Sequence, residues 1–376
     1  MIMEKSSLAK KRILLIGNSS LVIFGFRKEL VQKLVNEGHE VWVTFPNGPF
    51  GEGESISEKF GCNFIEIDIN RRGKNPLQDL NLLKNYYKLF KKLRPDVVLA
   101  YTAKCDIYGG IACRVLNIPF LPNITGLGKG LVDGGLTTYI TKLLYKIAVK
   151  KSKCIFFQNE FDKLFFDNNN IEYQSCCVLP GSGINVKEFT TLPYPDGRNI
   201  VFTYIARVMK AKGIEEFLDA AKYFKKRNTN IEFHICGYCE EDYIELIKKY
   251  EREGIVFYHG LVKNVIEYQK NSHCIVLPSF HPEGISNVLL EGAACARPLI
   301  TTNRPGCREV VEENVTGFLI KEKDSNDLIL KMRKFIDLSY EEKREMGLNG
   351  RKKVESQFNR DIVVNAYINV INSLEE

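Results

Sequence analysis

The sequence predicts an α/β protein built from two doubly wound parallel sheets. Short apolar runs alternate with segments of helical periodicity along the chain, the order that yields parallel sheets covered by helices. At 376 residues, 44% hydrophobic and 26% charged, the chain is long enough for two domains of ordinary size. A proline- and glycine-bearing stretch, Thr191 to Arg198, separates a finished unit from a new first strand. An N-terminal domain at 1–190 and a C-terminal domain at 198–357 follow from that break.

In the first domain, strands are expected at Arg12 to Ile16, Val41 to Phe45, Phe64 to Ile67, Asp96 to Tyr101, Cys154 to Phe157 and Cys176 to Leu179. In the second they fall at Asn199 to Ile205, Ile231 to Cys236, Ile255 to His259, Cys274 to Leu277 and Leu299 to Thr302. Each is a short apolar run bounded by turn residues, as a strand buried on both faces requires. Helices are expected between them, among them Leu77 to Leu93, Ile214 to Lys226 and Ile285 to Ala296.

No run of about 18 apolar residues offers a membrane span, and Met1 to Arg12 lacks the apolar core of a signal peptide. The expected compartment is the cytoplasm. Eleven cysteines suit it as reduced, mostly buried small residues. Cys236 and Cys239 have redox or half-zinc spacing, but no second pair accompanies them, so they read as a turn after a strand. Residues 1–190 hold 26 Lys and Arg against 18 Asp and Glu, while the remainder holds 27 against 28. The positive excess is therefore N-terminal. There Leu136, Tyr139, Ile140, Leu143, Leu144 and Ile147 repeat at helical spacing beside Lys142, Lys146 and Lys150. Lys84, Lys88, Lys91 and Lys92 decorate the helix expected at Leu77 to Leu93. Such faces suit peripheral contact with anionic lipid, or ordinary solvation of core-packed helices. Nucleic acid is excluded as a partner, since no recognition motif or aromatic-basic interleaving accompanies the charge.

The chemistry concentrates in the second domain. Arg207 and Lys212 lie on the strand-to-helix turn between Ile205 and Ile214. A guanidinium grips two phosphate oxygens and an ammonium adds a compact second cation, which suits a departing diphosphate. Downstream, Pro278, Pro282 and Gly284 punctuate a turn, so Glu283 sits at a helix mouth and Glu291 eight residues on. Helical rise puts the two carboxylates about 12 Å apart, whereas glycoside hydrolysis wants about 5–10 Å. A hydrolase is therefore not expected. The amides of Gly284, Ile285, Ser286 and Asn287 are expected to face an anion at the helix N-terminus. The chain has no Asp-x-Asp pair, the arrangement that commonly holds a divalent ion on a nucleotide diphosphate, and no metal or other cofactor is expected.

The segments IARVMKAKG, PEGISNVLLEGAACARPLITTNRPGCREVV and NVTGFLI resemble the donor half of glycosyltransferase family 4, retaining enzymes of the GT-B fold, in which two Rossmann-like domains face a central cleft. The resemblance implies that Arg207 and Lys212 bind the donor diphosphate, Glu283 contacts the transferred sugar and Glu291 binds the ribose. It also implies that the last helix, 358–376, packs on the first domain. Two departures stand out. Ser286 replaces a bulkier residue, and Gly17-Asn18-Ser19-Ser20 replaces a glycine pair after the first strand.

Three first-domain loops, Gly17 to Gly25, Tyr101 to Tyr108 and Asn123 to Gly130, are similar to those of family members that extend a sugar on a polyprenyl diphosphate. Lys104 is the expected partner of that diphosphate, with Arg27 assisting. Asp106 is a candidate helper base and Thr125 a candidate positioning group, although the family reaction needs no protein nucleophile. His281 is a further candidate for shaping the sugar pocket. The expected function is metal-independent transfer of a sugar, of hexosyl or N-acetylhexosaminyl type, from a nucleotide sugar, a UDP-sugar foremost, to a lipid-linked saccharide in cell-surface polysaccharide or glycan assembly. A nucleotide-sugar 2-epimerase is the alternative, separated by whether the donor sugar changes without an acceptor.

Overall fold

The computed structural model describes residues 9–47, 51–70, 73, 75–197, 199–227 and 230–374. The signal-peptide reading of Met1 to Arg12 falls largely outside these residues, as do Arg198 and the terminal residue 376 of the domain readings.

In the first sheet, β1 (Arg12–Ile16), β2 (Glu40–Phe45), β3 (Asn63–Glu66), β4 (Val97–Tyr101), β5 (Phe120–Ile124), β6 (Ile155–Phe157) and β7 (Cys176–Val178) run parallel in the order β3-β2-β1-β4-β5-β6-β7. Side chains alternate across a strand, and here both faces are covered. Ile13, Leu15, Val97 and Leu99 enter one core, while Leu14, Ile16, Val98 and Ala100 enter the other. This is why these strands read as unbroken apolar runs.

The second sheet comprises β8 (Ile200–Ile205), β9 (Ile231–Cys236), β10 (Phe257–Gly260), β11 (Cys274–Leu277), β12 (Leu299–Thr302) and β13 (Gly317–Ile320) in the order β10-β9-β8-β11-β12-β13. All its pairings are parallel too. In each sheet the order reverses beside the first strand, between β1 and β4 and between β8 and β11. Crevices open at the carboxyl ends of such strands.

Two strands exceed the sequence expectation. β5 carries Pro122, which lacks a ladder donor and so disguises a central strand as a loop. β13 is four residues long and opens on Gly317, whose missing side chain lets the chain pass the Leu299 carbonyl.

The chain divides into residues 1–182 with 361–376, and residues 183–360. The first boundary thus precedes the expected Thr191 to Arg198 linker, and the physical reason is visible. Buried Arg297 donates to the carbonyls of Pro193 at 2.7 Å, Gln269 at 2.7 Å and Leu192 at 3.4 Å. Arg351 holds the Val186 carbonyl at 3.0 Å and that of Phe189. Arg297 therefore fastens the proline-bearing stretch to the second unit, and Arg351 fastens the residues just before it. The last helix, Arg360–Ser373, buries Val363, Val364, Tyr367, Ile368 and Ile371 in a core of the first unit. The cysteines are free thiols; Cys236 is buried and Cys239 lies 3.6 Å from the Tyr258 hydroxyl, so the pair is a turn after β9.

Arg297→Leu strips donors from one buried carbonyl, that of Gln269, and two part-buried ones, each costing about 1 kcal/mol. The expected loss is about 3 kcal/mol, measured as a lower urea midpoint with an unchanged m-value.

Candidate functional site

The carboxyl ends of β8 and β11 carry the polar cluster of the second unit. After β8 the chain makes a short 3₁₀ turn, Lys210–Lys212, and then Gly213 begins helix Ile214–Lys225. Gly213 has φ +78°, and a Cβ there would stand 2.1 Å from the Pro278 carbonyl oxygen. Only glycine lets the two loops approach this closely. The Phe280 amide then donates to the Ala211 carbonyl at 2.8 Å, tying the loop after β11 to the loop after β8.

That contact brings Lys212 and Glu283 together as an ion pair, with side chains 12% and 17% exposed. Burial pushes the Glu283 carboxyl upward, but the Lys212 ammonium outweighs it and holds the group below its ordinary range. His281 is lowered by burial and by Lys212, so its ring is neutral near pH 7. Arg207 takes a different partner. Its Nη1 lies 2.6 Å from Oε2 of Glu240, a residue that also accepts from the Tyr238 hydroxyl at 3.2 Å. Both cations are therefore matched by carboxylates in the free protein.

The helix after Glu283 differs from expectation. It spans Asn287–Ala294 with Ser286 as its N-cap residue, so Gly284 to Ser286 form an extended turn and not helix. A uniform helical rise does not set the distance between Glu283 and Glu291. The Ser286 amide donates to the Gly306 carbonyl at 2.8 Å and does not face an anion. Gly306 itself packs on the Glu283 and Gly284 carbonyls, where a Cβ would come within 2.7 Å. The first-turn amides of Asn287, Val288 and Leu289 have no intrahelical acceptor. Ile285 is buried, and Asn287 has an unbonded buried side-chain oxygen.

Glu291 stands in the second turn of that helix, half-buried. Burial raises its pKa to about 7, opposed by Arg360 and aided by Glu188. Among the described residues, no three His, Cys, Asp or Glu side chains converge as metal ligands.

The first unit places its expected residues less openly. π-helical turns, Leu21–Gly25 and Cys105–Gly109, follow β1 and β4. Arg27 is 4% exposed, its guanidinium 4.4 Å from the Tyr101 ring centre. Asp106 is buried, and desolvation raises it far above an ordinary carboxyl. Lys104 is committed to Asp79 at 2.6 Å and to the Gly73 carbonyl at 2.8 Å. Thr125 is half-buried directly after β5. Glu240 and Gly306 were not anticipated in these roles, although Cys-Glu-Glu after β9 and Pro-Gly-Cys after β12 both lie at carboxyl ends.

Two Rossmann-like units, the second with paired cations and carboxylates at its strand-order reversal, define the α/β class to which GT-B proteins belong. Residues 12–159 match a model described as glycosyl transferase 4-like, and residues 191–353 match glycosyl transferases group 1. The N,N'-diacetylbacillosaminyl-diphospho-undecaprenol alpha-1,3-N-acetylgalactosaminyltransferase of Campylobacter jejuni is 25% identical over 378 residues, covering 95% of this chain and 97% of that protein. The UDP-Gal:alpha-D-GlcNAc-diphosphoundecaprenol alpha-1,3-galactosyltransferase of Escherichia coli is 25% identical over 75% of this chain and 76% of its own. HepE of Anabaena, solved with UDP and glucose, superimposes with a TM-score of 0.78 at 16% identity, over 96% of this chain and 100% of that one. The chain belongs to the family 4 type of glycosyltransferase.

Glu291 provides a pH test. Its folded pKa lies above the ordinary 4.5, so stability linked to it is full below pH 4.5 and is lost as pH rises through about 7. Glu291→Gln is expected to be more stable than wild type at pH 8 by about 1–2 kcal/mol, with melting curves converging near pH 4.5.

Proposed function

We propose that the protein is a retaining glycosyltransferase that moves a sugar from a nucleotide diphosphate donor, a UDP-sugar, to a saccharide carried on a polyprenyl diphosphate in surface-glycan assembly. The carrying observation is the pairing of Lys212 with Glu283 where β8 and β11 diverge, with Arg207 on the same loop as Lys212. An arriving diphosphate replaces the carboxylates on Lys212 and Arg207. Glu283, released, accepts hydroxyls of the transferred sugar. Gly284, Ile285 and Asn287 line the diphosphate, without the Ser286 amide, and Glu291 accepts from the ribose.

In this reading the bond from the sugar's anomeric carbon to the diphosphate breaks while the acceptor hydroxyl oxygen bonds to that carbon on the same face. The hydroxyl proton passes to the departing phosphate oxygen. Charge grows on the diphosphate, and fixed cations stabilise it without a metal. Two relatives whose names carry diphospho-undecaprenol acceptors and alpha-1,3 products, one with UDP-Gal as donor, support the choice of substrates.

Lys212→Ala or Glu283→Ala is expected to lower transfer at least about 100-fold, with the far-UV spectrum and melting cooperativity retained. Undiminished turnover by either purified variant refutes the assignment. Conversion of donor sugar to its 2-epimer with no acceptor present points instead to the epimerase.

The acceptor implies a membrane. Among the described residues, no helix is long and apolar enough to cross one. Helix Gly135–Val149, however, exposes Leu136, Tyr139, Ile140, Leu143 and Ile147 as one stripe. Lys142, Lys146 and Lys150 border it, and each cation contributes about 1 kcal/mol at an anionic surface. This helix rests on the leaflet that carries the acceptor. Wild type is expected to sediment with vesicles containing phosphatidylglycerol and less with pure phosphatidylcholine. Lys142→Glu/Lys146→Glu should abolish the difference, and a variant that keeps the wild-type preference for phosphatidylglycerol would remove the helix from this role.

A further inference from the structure

Away from the loops assigned above, the first unit has a cavity of about 340 Å³ lined by Asp68, Asn70, Gln78, Asp79, Asn81, Leu82 and Asn85. All but Leu82 carry a carboxylate or carboxamide, and Leu82 is a buried apolar floor. Asp68 and Asn70 come from the segment after β3. The others come from helix Pro76–Leu93, where Gln78, Asn81 and Asn85 recur at helical intervals along one edge.

Two walls are held in place. Asn70 donates to the Gln78 side-chain oxygen at 3.0 Å and accepts from the Gly73 amide at 2.8 Å. Asp79 is clamped between Lys104 at 2.6 Å and the Tyr108 hydroxyl at 3.0 Å. Lys104 thus fixes the cavity wall from the neighbouring loop after β4. The side chains of Asn81 and Asn85 make no hydrogen bond to other described residues and keep their donors and acceptors for solvent or ligand.

The composition selects the ligand. Asp68 beside Asp79 disfavours an anion, and one apolar residue cannot hold a lipid chain. A carboxamide offers donor and acceptor side by side, the complement of neighbouring sugar hydroxyls, each of which donates and accepts. Solvation alone does not call for this stripe. Asn is a poorer helix former than Lys or Glu, and the adjacent stripe of the same helix uses Lys84, Lys88 and Lys91 in the ordinary way.

We propose that this cavity is a binding subsite for a neutral saccharide, taking the part of the glycan acceptor remote from the reacting hydroxyl. The inference rests on the reading that the acceptor is a saccharide. It predicts that acceptor affinity depends on sugars beyond the one modified.

The full chain, ¹⁵N-labelled, is titrated with maltotriose and with di-N-acetylchitobiose, and the side-chain NH₂ resonances of Gln78, Asn81 and Asn85 are followed. Saturable shifts with either sugar, lost in Asn81→Leu/Asn85→Leu, are expected. The double substitution puts better helix formers on an exposed face, so the fold should persist. No shift with either sugar overturns the proposal. In transfer assays the same variant should raise acceptor KM at least fivefold while donor KM holds, and an unchanged acceptor KM also overturns it. Absence of any transfer by wild type would count against the proposed function, and the titration would still decide the subsite.

Discussion

The hydrogen bond from the Phe280 amide to the Ala211 carbonyl is the contact on which the second unit's chemistry depends. Parallel pairing sets β8 beside β11, and their carboxyl-end loops diverge to opposite sides of the sheet. Left alone, those loops would hold Lys212 and Glu283 at no particular distance. The single backbone bond, made possible by the absent side chain of Gly213, closes the gap and lets a buried ion pair form. Nearby, the Gly306 carbonyl captures the Ser286 amide and sets where the following helix starts. Three loops from three neighbouring strands are thus joined by backbone, and the functional side chains stand on that frame.

Electrostatics in the free site are nearly self-cancelling. Lys212 faces Glu283 and Arg207 faces Glu240, so neither cation stands unbalanced in a partly buried place, where lone charges are costly. Under the proposed function, a dianionic ligand would offer each cation a stronger partner than a carboxylate. Glu291 is the exception: burial outweighs the pull of Arg360 and raises its pKa to about 7.

The first unit is arranged on another principle. Arg27, directly after the π-helical turn that follows β1, and Asp106, within the turn that follows β4, are both buried. The exposed chemistry lies to either side, as a lysine-edged apolar stripe on one helix and a carboxamide edge on another.

Apolar runs and helical periodicity are properties of neighbouring residues, so the alternating strands, the two sheets and the placing of Arg207, Lys212 and Glu283 on loops at strand ends were legible in the linear chain. β5 was not, because Pro122 looks local and disruptive while its tolerance comes from strands on both sides. The boundary was also displaced, since a proline-bearing stretch reads as a linker until Arg297, about a hundred residues away, is seen gripping its carbonyls and Arg351 those of Val186 and Phe189 just before it. Partner choice is likewise a long-range property. That Arg207 finds Glu240, that Lys104 is spent on Asp79, and that the Ser286 amide turns to Gly306 depend on distances across the sheets, which local spacing does not encode. Residue type and order determined which groups are available, and tertiary packing decided which are already taken.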